Sequence, residues 1–180
     1  MKWKTRIEGK DLVMHRFIGM NESKDAKTKP DQQQAEGYTY RNKNGELAIP
    51  IGNMRACVIE GFVQSAGNKM KTKTKMEVSP RIQIQSPYDD GLYLTLSNQT
   101  YNIDRRSVPS GGRSGGVRDW CVRPRIDEWG TEFILQETLD IPRNELLYKL
   151  EFAGSNVGVL SNRPNGFGRF KVVSLEEHIA

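Results

Sequence analysis

The residues best suited to chemistry cluster near the end of the chain, in GSNVGVLSNRPNGFGRFKVV, Gly154 to Val173. Gly154, Gly158, Gly166 and Gly168 bracket Asn162, Arg163 and Asn165. Glycine lets backbone N–H groups approach a phosphate, and the guanidinium of Arg163 can pair with that phosphate. Phe167 stands between two glycines, where a ring can stack on a base, and Arg169 adds a second cation. A plainer demand competes for the same glycines. A helix end and a tight turn both need positive φ, and Gly154 suits the C′ position of a helix.

The charge pattern points to the same kind of partner. The chain of 180 residues carries a net charge of +5. Arg105 to Arg125 contains six arginines and one acid, and Lys69 to Arg81 contains five bases and one acid. Those windows hold +5 and +4, so the remainder is −4. A basic excess confined to two windows is the footprint of a polyanion, against the alternative of basic loops that are merely solvated. Lys69, Lys71, Lys73 and Lys75 alternate in sequence, so an extended chain would set them on one side. Arg105, Arg106 and Arg118 flank the run SGGRSGG and Arg113 lies within it, a pattern suited to a finger that orders on a polyanion.

Catalysis has few carriers. The histidines are His15 and His178. His15 is a weak candidate for a general base, and a surface or packing role is the simpler reading. Asp89-Asp90-Gly91 reads as a turn before it reads as a metal site. Ser110 and Ser114 have no local base, and no GxGxxG is present. Cys57 and Cys121 lack metal or disulfide spacing, which fits a reducing cytoplasm. No cofactor and no metal is implied. No run is long and apolar enough for a membrane helix.

The elements that must position these residues follow from periodicity. Short apolar strands are expected at Asp11–Ile18 and Glu46–Pro50. Met54, Cys57, Val58, Phe62 and Ser65 share one helical face, with Asn53 as cap. Further strands are expected at Arg81–Gln85, Leu92–Leu96, Val117–Ile126 and Thr131–Leu139, with Pro124 placing the end of the third at a sheet edge. Pro142 opens a second helix whose apolar face is Leu146, Leu147, Leu150 and Ala153. Arg169–Val173 closes the chain as a strand. Two β-α-β units predict an α+β, ferredoxin-like (RRM-like) sandwich with an antiparallel sheet, two helices and one open sheet face. An open sheet face beside basic loops can hold single-stranded nucleic acid. A single domain over residues 1–180 is expected, with loop insertions near 21–36, 68–76 and 105–117.

The segment Asn156 to Val173 resembles the C-terminal glycine-rich loop of the RAMP superfamily, the RNA-binding proteins of CRISPR effector complexes. Ala48-Ile49-Pro50-Ile51-Gly52-Asn53-Met54-Arg55 resembles the I-P-G-S-S-h-[KR]-G opening of the first helix in the subunits that coat guide RNA, with Arg55 at the basic position. Ile51 intrudes before Gly52, and Ala56 stands where a glycine is usual. The layout also resembles uncharacterised phage and prophage proteins, so a phage relative of the RAMP fold is the expected lineage. The resemblance implies backbone binding of single-stranded RNA or DNA without chemistry, and head-to-tail assembly into a homo-oligomer or with other CRISPR or phage proteins. Together with the two basic windows, it assigns the nucleic acid to Arg55, Lys69, Lys71, Lys73, Lys75, Arg105, Arg106, Arg113, Arg118, Arg163, Gly166, Phe167 and Arg169. The alternatives are an endoribonuclease of the same superfamily that uses His15, and a phage interaction protein that mimics a CRISPR subunit.

Overall fold

A computed structural model describes residues 1–16, 28–66, 71–88, 91–109, 118–161 and 163–178. The first strand, β1 (Lys2–Val13), buries Trp3, Thr5 and Ile7 and turns Lys4 and Arg6 outward. That strict alternation starts the strand nine residues earlier than the apolar stretch at Asp11 suggests. Helix α1 (Asp31–Gly37) follows, then β2 (Ala48–Pro50) and α2 (Ile51–Ser65). α2 buries Met54, Cys57, Val58 and Phe62, the expected face. Pro50, with φ −59°, precedes it, and no side chain caps it, so Asn53 lies inside the helix.

Next come α3 (Lys71–Val78), a 3₁₀ turn at Ser79–Arg81, β3 (Ile82–Gln85) and β4 (Tyr93–Thr95). The strands β5 (Asn102–Pro109) and β6 (Arg118–Glu137) form a hairpin, paired from Asn102↔Arg125 to Pro109↔Arg118. β6 is one long strand where two are expected. Pro124 sits within it, and its carbonyl accepts from Met14 N–H at 3.0 Å. Helix α4 (Arg143–Phe152) follows Pro142 and buries Leu146 and Leu150. It runs into a π-helical turn, Ala153–Val157, and the chain ends in β7 (Arg169–Glu177).

The main sheet has the order β3-β6-β1-β7, with β5 paired to β6 as well, and every neighbour is antiparallel. β1-α2-β3 and β6-α4-β7 are the two β-α-β units, so the fold is ferredoxin-like. The core is filled by Ile7, Phe62, Phe133, Leu135, Leu146 and Leu150 among others. β2 and β4 form a separate two-stranded sheet.

Three further local expectations change. Part of the first loop is helix α1, because Asp31–Gly37 buries Ala35. The lysine segment is helical over Lys71–Val78, and residues two apart do not share a helix side, so the extended lysine row is not formed. Gly154 is no C′ glycine. It lies inside the π turn, where a Cβ would come 2.1 Å from the Phe170 carbonyl oxygen, and Gly158 with φ +75° ends the turn instead.

The sheet face away from the helices carries ion pairs. Lys4 meets Glu132 at 3.4 Å, Arg6 meets Glu8 at 3.0 Å, and Lys10 approaches Glu128 at 4.0 Å. Those outward positions offer compensated charge and no aromatic platform.

Candidate nucleic-acid interface

The glycine-rich segment is shaped by its own backbone bonds. The N–H groups of Gly158, Gly166 and Gly168 donate to the carbonyls of Ala153, Arg163 and Asp11 at 2.9, 3.0 and 3.0 Å. Val159 N–H donates to Gly168 O at 2.9 Å, and Ser161 N–H to Val13 O at 3.1 Å. Gly166 and Gly168 have φ of +85° and +69°, a region that favours glycine. A Cβ on Gly168 would come 2.1 Å from Val159 O, whereas Gly166 faces open space. These donors are already committed, so the glycines set the loop's path. Side chains can also reach a phosphate from here.

Those side chains converge. A cleft of about 610 Å³ lies between the outer stripe of α2, the end of α3 and the glycine-rich loop. Arg55, Lys75, Arg163 and Arg169 all line it, with Glu60 as its carboxylate. Lys75 and Arg163 are exposed, and Arg55 and Arg169 are half-buried. Arg55 Nε donates to Ile82 O at 2.8 Å, and its Nη2 donates to Ser79 O. Arg169 Nη2 donates to Arg163 O at 3.2 Å, and its Nη1 is buried with no partner. Carbonyls therefore orient two guanidiniums without neutralising them. Among the described residues, none of the four cations is ion-paired to a carboxylate. Glu60 instead accepts from Gln64 Nε2 at 2.8 Å. Four like charges around one cleft hold a positive potential that a phosphate chain relieves.

The cleft also bears on Cys57, whose thiol is pushed up to about 12 by burial, against a weaker opposing pull from the Arg163 and Arg169 charges. Cys57 and Cys121 form no disulfide.

The hairpin reaches the same loop from another side. Arg106 Cζ sits 4.3 Å above the Phe167 ring. Its Nε also meets Asp104 at 2.6 Å, and the buried Asp104 pairs with buried Arg123 at 3.2 Å. Arg105 lies 5.2 Å over the Trp120 ring and 3.4 Å from Asp31. Arg105 and Arg106 are thus tied to local partners outside the cleft, and Phe167 is a stacking partner of Arg106. Lys69 and Arg113 lie outside the described residues, as does the run SGGRSGG. Lys71, Lys73 and Arg118 are placed only by their backbones, in α3 and at the start of β6.

His15 follows β1 and lines none of this cleft. Its ring meets Tyr38 edge-on at 4.6 Å. Desolvation, with a smaller push from the Arg123 charge, holds its pKa below the ordinary value. Sequence reasoning missed Gln64 and Asn156, which line the cleft with the four cations. The signal for Gln64 was available: Arg55, Ala56, Ile59, Glu60 and Gln64 form the helical stripe beside the buried one.

No protein family and no curated protein matches the chain. Among solved structures it is similar to a chain of the cryo-EM structure described as Type III-B Cmr-beta bound to cognate target RNA, at 10% sequence identity and a TM-score of 0.59. The match covers 97% of this chain and 59% of that one, so the protein spans less than two thirds of its neighbour. At that identity the likeness is one of fold alone.

Among the described residues, no helix is long and apolar enough to cross a membrane.

Proposed function

We propose that this protein binds single-stranded nucleic acid, RNA in the first instance, by its phosphate backbone in the cleft between α2, α3 and the glycine-rich loop. The observation that carries this reading is the convergence of Arg55, Lys75, Arg163 and Arg169 from three separate segments, none ion-paired to a carboxylate among the described residues. Phosphate contacts need cations within reach and little base recognition, so binding is tolerant of sequence. The fold likeness to a chain from an RNA-bound complex supports the same partner. Arg106 on Phe167 ties the β5–β6 hairpin to this loop. Head-to-tail assembly on long strands is part of the proposal.

The test is equilibrium binding of fluorescent 20-nucleotide RNA and DNA strands to the intact protein and to Arg163→Ala. Tight low-salt binding that weakens in the variant, with melting unchanged, supports the reading. No low-salt binding to either strand overturns it. Denaturing gels of the same mixtures should show the strand intact. Cleavage that disappears in His15→Ala would replace a binding function with an endonucleolytic one.

A further inference from the structure

One group in the basic cleft runs against its charge. Glu60 lines the cleft with Arg55, Lys75, Arg163 and Arg169, yet among the described residues it forms no ion pair with any of them. A carboxylate beside a bound phosphate chain repels it, so its presence calls for a use that phosphates do not supply. Its bond to Gln64, one turn along α2, is an i,i+4 contact that a neutral residue would make as well.

Hydrogen-bond direction shows what that use is. Gln64 Nε2 donates to Glu60 Oε1 at 2.8 Å. A carboxylate only accepts, so the Gln64 amide must turn its nitrogen to Glu60. Asn156 Nδ2 donates to Phe152 O at 3.3 Å and to Ser155 Oγ at 2.9 Å, and the carbonyl fixes that amide in the same way. The donors of both amides are thus committed within the protein. Glu60 Oε2, Gln64 Oε1 and Asn156 Oδ1 have no protein partner among the described residues. Glu60 and Gln64 are half-buried, with neither free oxygen shut away from solvent, and Asn156 is exposed. On α2 these acceptors follow Arg55 along one wall, Glu60 about 7.5 Å and Gln64 about 13.5 Å further along the axis.

The cleft therefore holds two sets of groups, cations that donate and oxygens that accept. Phosphate oxygens only accept, and the cations serve them in RNA and DNA alike. The backbone donor that a strand can offer to the second set is the ribose 2′-hydroxyl, which DNA lacks. We propose that Glu60, together with Gln64 and Asn156, selects RNA over DNA by accepting the hydrogen of a ribose 2′-hydroxyl on the strand held in the cleft. The inference rests on the proposed strand binding and names the groups that discriminate within it. RNA gains a charge-assisted bond at Glu60, whereas DNA leaves that carboxylate facing phosphates with no donor between them.

Three 20-nucleotide strands of one sequence test it: RNA, 2′-fluoro RNA and DNA, built from A and C so that the bases are identical. Each is titrated against the intact protein and Glu60→Gln. Fluorine replaces the hydroxyl with a group that has no hydrogen to donate, while the sugar keeps its RNA-like pucker. The intact protein should bind RNA on the order of ten-fold more tightly than either other strand. Glu60→Gln keeps an acceptor for Gln64 and removes the charge. Its preference for RNA should fall to about two-fold or less, with DNA binding tightened and melting unchanged. The 2′-fluoro comparison needs no variant, so it holds even if Glu60→Gln does not fold. Equal binding of RNA and 2′-fluoro RNA overturns the inference and leaves backbone binding standing. An RNA preference undiminished in a folded Glu60→Gln overturns the role of Glu60. Failure of all three strands to bind removes the proposed strand function, and this inference with it.

Discussion

Salt is the sharpest perturbation of the proposed interface, because its effect counts phosphate contacts. The cleft presents four cations, Arg55, Lys75, Arg163 and Arg169. On a single strand each phosphate neutralised contributes about −0.7 to the slope of log K against log salt, so four contacts give about −2.8. Raising salt from about 50 to about 200 mM should therefore weaken binding about 50-fold. Arg163 is exposed, and its side chain has no hydrogen-bond partner among the described residues, so Arg163→Ala should remove one contact and leave stability within about 0.5 kcal/mol. Its slope should fall to about −2.1, and its loss over the same salt range to about 20-fold. Engagement of Arg105 and Arg106 as well would steepen the intact protein's slope to about −4.2. The assay is fluorescence anisotropy of a labelled strand over a series of potassium chloride concentrations, with urea melts of both proteins in parallel. A slope near zero would refute the backbone cleft. A slope that stays the same in Arg163→Ala would show that Arg163 is not among the contacts.

Four further outcomes follow from particular residues. Gly168→Ala should destabilise by about 2 kcal/mol or more, because φ is +69° and Val159 O blocks the Cβ, whereas Gly166→Ala meets only backbone strain of about 1 kcal/mol; urea unfolding compares them. A double-mutant cycle on Arg106→Ala and Phe167→Ala should give a coupling of about 0.5–1 kcal/mol from the stacked pair, read as unfolding free energy, and zero coupling would mean that the two are independent. Native Cys57, with its thiol pushed up to about 12 by burial, should resist a disulfide reagent at pH 8 while half-buried Cys121 reacts first; fast labelling of Cys57, read by peptide mapping, would contradict its burial. NMR titration should place the His15 pKa below the ordinary value of 6.5. Because the folded value is the lower one, the contribution of His15 to stability is complete above 6.5 and is lost as pH falls through the folded pKa, and a normal or raised value would show that the ring is not desolvated.

The two crossover helices are legible because their apolar residues recur at the helical period. Met54, Cys57, Val58 and Phe62 on α2, and Leu146 and Leu150 on α4, are buried as that period requires. With strands on either side, this is enough to predict the ferredoxin-like sandwich. β1 is as well patterned, with Trp3, Thr5 and Ile7 inward, but its polar outward positions leave no apolar run for a strand to be read from before Asp11. α3 is different. KTKTKMEV has no apolar face and alternates like a strand, and its packing against α2, with Val78 buried, accompanies a helix that local pattern does not reveal.

The same division holds at the site. Glycine content alone locates the loop from Gly154 to Gly168, but it cannot say whether those N–H groups serve a phosphate or the fold. Their acceptors decide it, and one of them, Asp11 O, lies near the other end of the chain. Arg55, Lys75, Arg163 and Arg169 are each visible as basic residues, yet no local pattern places them around one cleft. The sheet order does so by setting β7 beside β1, with the helices of the two β-α-β units over the same core. Periodicity reports which side of an element is buried, because burial repeats with the element's own geometry. Which element lies against that side depends on contacts between residues far apart in sequence, and only the folded chain brings those together.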